Sequence, residues 1–221
     1  MIVFASHDNT NLLDLNVSRL CELDLNGHEV LIVDTCSTDI RYIKHFNRLK
    51  KQHPQFRFIR KEYACWDTGA YLHAYRHYKA ERYIFLQDSV YLSSNTFITD
   101  IDKLLDDYEV VPMFDHFYTY DNDSVKNWVE DGLPVVTRPD YLFFGPIFAV
   151  RRETMDRIPD EWHREPHNKF TATNMERRWA LMFHLIGATH KFYNKTNYGH
   201  FWQKFPCTQH RIRKIWMTRL P

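Results

Sequence analysis

The chain has 221 residues, enough for one large α/β domain or two small ones. Charged residues make up 26% and apolar residues 44%, an ordinary globular balance, and a formal net charge of +1 excludes a global attraction to nucleic acid or other polyanions. Four cysteines, at 21, 36, 65 and 207, have no paired spacing, which argues for reduced thiols in a cytoplasmic setting and against a disulfide frame or zinc site.

Met1–Ala5 is too short for a signal peptide and runs straight into polar residues, so strand one is predicted over Ile2–Ala5, ending in Ser6-His7-Asp8-Asn9. A helix follows from about Leu12 to Leu25, with Leu13, Val17 and Leu20 on one face, and Asn26-Gly27 stops it. Strand two is Glu29–Val33. It delivers Asp34 and Ser37 to a turn, and Asp39 caps a helix whose Ile40, Ile43, Phe46 and Leu49 form one stripe. His53-Pro54 breaks that helix, and strand three is Phe56–Arg60. After Trp66-Asp67-Thr68-Gly69 comes a helix with Ala70, Ala74 and Tyr78 on one side. Strand four, Tyr83–Leu86, ends in Gln87-Asp88-Ser89. A helix through Ile98, Ile101, Leu104 and Leu105 leads to strand five, Val110–Met113. This alternation predicts an α/β fold, a mostly parallel central sheet flanked by helices.

The pattern changes after residue 113. Residues 115–140 read as a long irregular excursion over the cleft. Strand six is predicted over Leu142–Val150, interrupted by Gly145-Pro146, which suits an edge or a bulge. Residues 159–171 form a loop, and a helix from about Ala172 to Ile186 carries Met175, Trp179, Met182 and Ile186 at helical spacing. The expected organisation is one domain over 1–221, with a nucleotide-binding half (1–113) and an acceptor-side half plus tail (114–221). No apolar run reaches membrane-spanning length.

Two strands that each end in an acid suggest one cleft at the carboxyl end of the sheet, where open α/β folds hold ligands. A carboxylate such as Asp34 at a strand end is able to accept a base N–H, and as readily acts as a turn or cap acid. Asp67 is a candidate for a ribose or sugar hydroxyl, and Gly69 for close backbone approach. Asp115 and His116 leave strand five towards the cleft. Trp128, Trp162 and Trp202 are candidate stacking platforms, although packing is the commoner role for tryptophan. The basic cluster His210–Lys214 with Arg219 reads first as a solvated end of chain, with a phosphate contact or a weak membrane-surface foothold as alternatives.

VDTCSTD (33–39) resembles the VDDGSTD-type string of nucleotide-sugar glycosyltransferases with the GT-A fold, a Rossmann-like architecture, and especially the large inverting family that makes polysaccharides. Further matches follow in order. Asp67-Thr68-Gly69-Ala70 falls where that family has a glycine-containing helix start near the nucleotide. ERYIFLQDSVYLSSNTF (81–97) resembles its Asp-x-Asp strand, FFGPIFAVRRETM (143–155) its acceptor-side segment, and NMERRWALMF (174–183) the helix with its catalytic acids. The short chain is also similar to virus- or phage-encoded members, which would place it in a host cytoplasm.

The resemblance implies a transfer from a UDP-linked sugar to a glycan or glycoconjugate hydroxyl, dependent on Mn2+ or Mg2+ and inverting, with Glu176 as general base. It implies donor contacts from Ser6, His7, Asp34, Ser37, Asp67, Gly69, Asp88, Ser89 and Arg152, and metal ligation by Asp88 and His200. The sequence departs from the Asp-x-Asp pattern, since only Asp88 is acidic in Gln87-Asp88-Ser89-Val90. Two alternatives stand beside this reading. One is a non-catalytic carbohydrate-binding or scaffold protein of the same fold, favoured by that departure. The other is a sugar-nucleotide nucleotidyltransferase, disfavoured because Ser6-His7-Asp8-Asn9 has neither the glycine nor the lysine of a phosphate loop.

Overall fold

A computed structural model describes residues 1–113, 146–193 and 213–214, with Glu176, Arg177, Arg213 and Lys214 described by their backbone. The elements are β1 (Ile2–Ser6), α1 (Thr10–Glu22), β2 (Val30–Asp34), α2 (Ile40–Gln52), β3 (Arg57–Arg60), α3 (Trp66–His77), β4 (Arg82–Gln87), β5 (Val90–Tyr91), α4 (Phe97–Asp107), β6 (Val110–Pro112), β7 (Phe148–Arg151), α5 (Arg152–Met155), α6 (Lys169–Leu185) and β8 (Arg213–Lys214). Six strands form one sheet in the order β3-β2-β1-β4-β7-β6. β1 to β4 run parallel, whereas β7 lies antiparallel to both β4 and β6. The fold is therefore α/β with a mostly parallel sheet, as the alternation predicted.

Burial follows the strand period. Ile2 and Phe4 of β1, with Val30 and Ile32 of β2, pack under α1, α2 and α4. The alternate residues, Val3 and Ala5 with Leu31 and Val33, pack against α3 and α6. Both faces are covered, so the central strands are apolar throughout, as a buried parallel sheet requires. β1, β2 and β3 are added in one direction; α3 then carries the chain back across the other face to β4, on the far side of β1. The strand order thus reverses between β1 and β4, and a crevice opens there at the carboxyl ends.

Side-chain caps set the helix starts. Asn9 accepts from Leu12 N at 3.0 Å, and Asp39 accepts from Arg41 N at 2.8 Å, the cap expected for α2. Asn168 and Thr171 form a reciprocal capping pair, so α6 begins at Lys169 rather than near Ala172. α1 stops at Glu22, short of the predicted Leu25, and the Asn26-Gly27 turn follows with φ of 48° and 76°.

One strand changes, and part of the tail takes a regular form. Of the predicted strand 142–150, the described part forms β7, starting at Phe148; residues 114–145 lie outside the described residues. Of the basic tail, the described Arg213 and Lys214 pair their backbone antiparallel with Tyr91 and Val90, in a two-stranded ribbon apart from the six-stranded sheet; the rest of the cluster lies outside the described residues.

Candidate functional site

Ser6 closes β1 and stands in register with Asp34 at the end of β2, while Ala5 pairs with Gln87, one residue before Asp88. Asp34 and Asp88 therefore flank Ser6 on the two neighbouring strands, with Cα atoms roughly 10 Å apart from the interstrand spacing. Ser6 Oγ donates to Asp88 Oδ2 at 3.1 Å and accepts from the Tyr42 hydroxyl at 2.8 Å. His7 N also donates to Asp88 Oδ2, at 3.0 Å. Behind the carboxylate, Asn16 Nδ2 donates to the Asp88 carbonyl at 2.7 Å, and Asp88 N donates to Ala5 O at 2.9 Å. Half-buried Asp88 is thus held in place by β1 and α1 at the point where the strand order reverses.

The β2–α2 turn is built around Asp34. Its Oδ1 accepts from Ser37 N at 2.8 Å, and its Oδ2 lies 3.0 Å from Arg60 Nε. Asp34 is fully buried, whereas the Arg60 side chain is 44% exposed. Arg60 Nη2 also donates to Ser37 O at 2.6 Å. The expectation of Asp34 as an open acceptor for a base is not met in this arrangement, because its oxygens face the turn and the guanidinium. Arg60 is the member of the pair that reaches the surface.

Asp8 stitches the two loops together. Its N–H donates to Ser37 Oγ at 2.9 Å, and its Oδ1 accepts from the N–H groups of Thr38 and Asp39, each at 3.0 Å. Partial burial works against its charge, but those N–H groups and neighbouring His7 hold the carboxyl below its ordinary range. Among the described non-glycine residues, φ is positive at Asp8 (47°), Cys36 (71°), Trp66 (48°) and Asn26. The first two lie in these strand-end loops and Trp66 opens α3, and left-handed backbone of this kind gathers at ligand sites. Cys36 occupies the position where the VDDGSTD pattern has glycine, so the left-handed turn persists without it.

On the α3 side, Gln87 Nε2 donates to Asp67 Oδ2, and Ser89 Oγ lies 3.4 Å from Gln87 Oε1. Asp67 is in the first turn of α3, where the helix dipole favours a carboxylate. Gly69 has a structural reason: a Cβ there would lie 2.3 Å from Cys65 Cβ and 3.5 Å from Glu165 Oε2. The close approach that glycine permits is to the cysteine capping its own helix. Burial raises the Cys65 thiol to about 12, so it is a packed group and not a nucleophile.

Trp179 Nε1 of α6 donates to Thr68 Oγ1 at 3.2 Å, next to Asp67. This bond ties α6 to the start of α3; Glu176, one turn earlier, lies in the middle of α6 (Lys169–Leu185), and its side chain lies outside the described residues. So do His200, Asp115, His116, Trp128 and Trp202. Trp162 packs partly buried against the α3/α6 core.

Arg152 is a correction. β7 runs antiparallel, and Arg151 pairs with Arg82 at the amino end of β4. That end is roughly 17 Å from the cleft by strand rise. Arg152 Nη1 instead donates to the Tyr83 hydroxyl at 2.7 Å, with its guanidinium over the Tyr75 ring at 5.0 Å. Arg151 donates to Leu105 O at 2.7 Å. A surface groove of about 620 Å³ lined by Arg82, Arg151 and Arg152 lies at this same end, away from the strand-end acids.

Among the described residues no three His, Cys, Asp or Glu side chains are arranged to hold a metal ion. Of the described carboxylates near the crevice, Asp8 and Asp34 are taken up by turn N–H groups and Arg60, Asp67 accepts from Gln87, and Asp88 is held by a serine and a backbone N–H. Such a set fits a cation that brings most of its ligands with it, as Mg2+ or Mn2+ does on a diphosphate, and does not fit one caged by protein alone.

Solved structures share this fold. A mannosyltransferase from Pyrobaculum calidifontis, in complex with GDP-Man and Mn2+, aligns with a TM-score of 0.59 and 15% identity over 88% of this chain and 55% of its own. S. aureus TarS 1–349 aligns with a TM-score of 0.52 and 14% identity over 88% of this chain and 58% of its own. The chain thus spans a little over half the length of each. The architecture is that of GT-A, Rossmann-like proteins. No family model matches the sequence, and no curated protein matches it.

Proposed function

We propose that the chain is a glycosyltransferase that moves a sugar from a nucleoside diphosphate, UDP-linked, to a carbohydrate hydroxyl. The observation that supports this most directly is the anchored Asp88 at the β1/β4 reversal, beside a turn that fixes an exposed arginine. The fold shared with a mannosyltransferase that binds GDP-Man and Mn2+ adds to it.

In this reading the nucleotide lies over the ends of β1 and β2. Arg60 donates to a carbonyl of the base, and Asp34 holds Arg60 in position. Ser6, His7, Ser37 and Ser89 line the phosphate and ribose path, with Asp67 near a donor hydroxyl. Asp88 and His200 would hold the divalent cation, whose chemistry would be to neutralise the diphosphate charge. Arg213 and Lys214, whose backbone pairs with β5 just beyond Asp88, would add positive charge for the leaving group. Glu176 takes the proton from the acceptor hydroxyl as its oxygen attacks the anomeric carbon. The bond to the diphosphate oxygen breaks with inversion, and the nucleoside diphosphate departs with the electron pair.

The lack of a second acid in Gln87-Asp88-Ser89-Val90 favours a second reading, a protein of this fold that binds sugar nucleotides without turnover. Thermal shifts with UDP, GDP, CDP and their sugars, with and without Mn2+, test the donor. The largest shift is expected with UDP and Mn2+, and Asp88→Ala is expected to remove the metal-dependent part. Equal shifts for all nucleotides would rule out base reading, and an unchanged Mn2+ response in the variant would remove Asp88 from the site. Mn2+-dependent hydrolysis of a UDP-sugar separates an enzyme from a binding module.

A further inference from the structure

Residues 40–61 contain eight Lys or Arg residues and no Asp or Glu. With 29 basic and 28 acidic residues in the whole chain, the rest of the sequence then carries a net −7. The positive charge is therefore concentrated on α2 and on β3, which forms one edge of the six-stranded sheet.

α2 turns one side inward, burying Tyr42, Phe46 and Leu49. By helical spacing its outward side carries Ile40, Lys44, Arg48 and Lys51 along one stripe, all of them exposed. The nearby acids are already engaged. Asp39 pairs with Arg41 at 2.8 Å, Asp14 of α1 with His45 at 2.7 Å, and Glu29 with Arg57 at 3.1 Å. Lys44, Lys50 and Lys51 have no acidic partner among the described residues. Ile40 is 59% exposed and sits on the same stripe, at the end of α2 nearest the cleft.

We infer that this face of α2 docks on an anionic lipid surface. A basic amphipathic stripe with an apolar residue at one end suits the headgroup boundary, where lysine stems lie along the surface and their ammonium groups meet lipid phosphates. The exposed residues of α2 include no aromatic ring on which bases would stack, which favours lipid over single-stranded nucleic acid. Asp39, at the start of α2, is bonded to Asp8 in the cleft wall, so docking would bring the cleft mouth beside the bilayer. The inference does not rest on the reaction assigned to the cleft.

Flotation of the full chain tests it, with vesicles of phosphatidylcholine alone and vesicles containing phosphatidylglycerol. Binding is expected to the anionic vesicles at low salt, with release at high salt and none to neutral vesicles. Each cation near such a surface is worth about a fivefold change in partition, so Lys44→Glu/Arg48→Glu/Lys51→Glu is expected to lower binding roughly 100-fold or more. Ile40→Ser is expected to weaken it further while leaving the helical circular dichroism unchanged. Failure of the wild-type chain to bind anionic vesicles overturns the inference. So does a triple variant that binds like wild type, which would assign the binding to the tail, or tighter binding to heparin or RNA than to the vesicles. UDP thermal shifts in the triple variant are expected to match wild type, which keeps this test separate from that of the cleft.

Discussion

Single residues at the strand ends carry most of the site's geometry, and two of them make sharp predictions. Cys36 holds a φ of 71°, a conformation that costs a side chain roughly 1–2 kcal/mol. Glycine relieves that strain but loosens the unfolded chain, so Cys36→Gly is expected to stabilise by up to about 1 kcal/mol in urea melts. A loss of stability would mean that the thiol does something beyond tolerating the turn. Asp34→Ala removes the acceptor for Ser37 N–H and the partner of Arg60, and is expected to cost about 1–3 kcal/mol even without nucleotide. Unchanged stability would show that Asp34 does not hold this loop. The sequence made Asp34, Asp39 and Asp88 legible because each sits at the junction of a strand or helix with a distinct local pattern. It did not reveal Tyr42 and Asn16 as supports of the Ser6–Asp88 unit, or Asp8 as a link between loops. Those bonds join residues between 29 and 82 positions apart, which no local pattern encodes.

At the scale of elements, strand and helix positions through Met113, apart from the two-residue β5, were readable from periodicity and caps, including the stop of α2 at His53. Direction was not. A buried apolar run looks the same whichever way it runs in the sheet, so the reversal of β7 moved Arg151 and Arg152 to the end opposite the cleft. The Trp179–Thr68 bond is the described hydrogen bond that holds α6 against the start of α3. Thr68 is 2% exposed, and Thr68→Val keeps its shape while leaving the indole N–H without that acceptor. The expected cost is about 1–2 kcal/mol, with faster amide exchange in the first turns of α6. Exchange that speeds up uniformly along the chain would show that the bond serves the whole core and not this junction.

For the molecule as a whole, pH is the informative variable. Burial, with the positive charge of Arg76 and Arg178 nearby, lowers buried His163 to about 4. Its folded value lies below its unfolded one, so the folded state excludes a proton that the unfolded chain accepts. Its contribution to stability is therefore complete above pH 6.5 and is lost as pH falls towards 4, by roughly 2–3 kcal/mol. His163→Phe, which suits the ring contacts with Tyr75 and Trp179, is expected to flatten that part of the profile. An identical slope in wild type and variant would contradict it. Burial alone would raise the Asp102 carboxyl, but hydrogen bonds from His28 and Asn26 and the charge of Arg82 hold it below its ordinary range. Its stabilisation is present above the usual carboxylate range and is lost in stronger acid, which adds a second, lower step.

The pairing of β8 with β5 bears on how the protein comes into being. Two short strands more than 120 positions apart close the border just beyond Asp88, so a nascent chain emerging from the ribosome can wind β1 to β4 long before this seam is sewn. During synthesis the acid at residue 88 waits beside an unfinished wall.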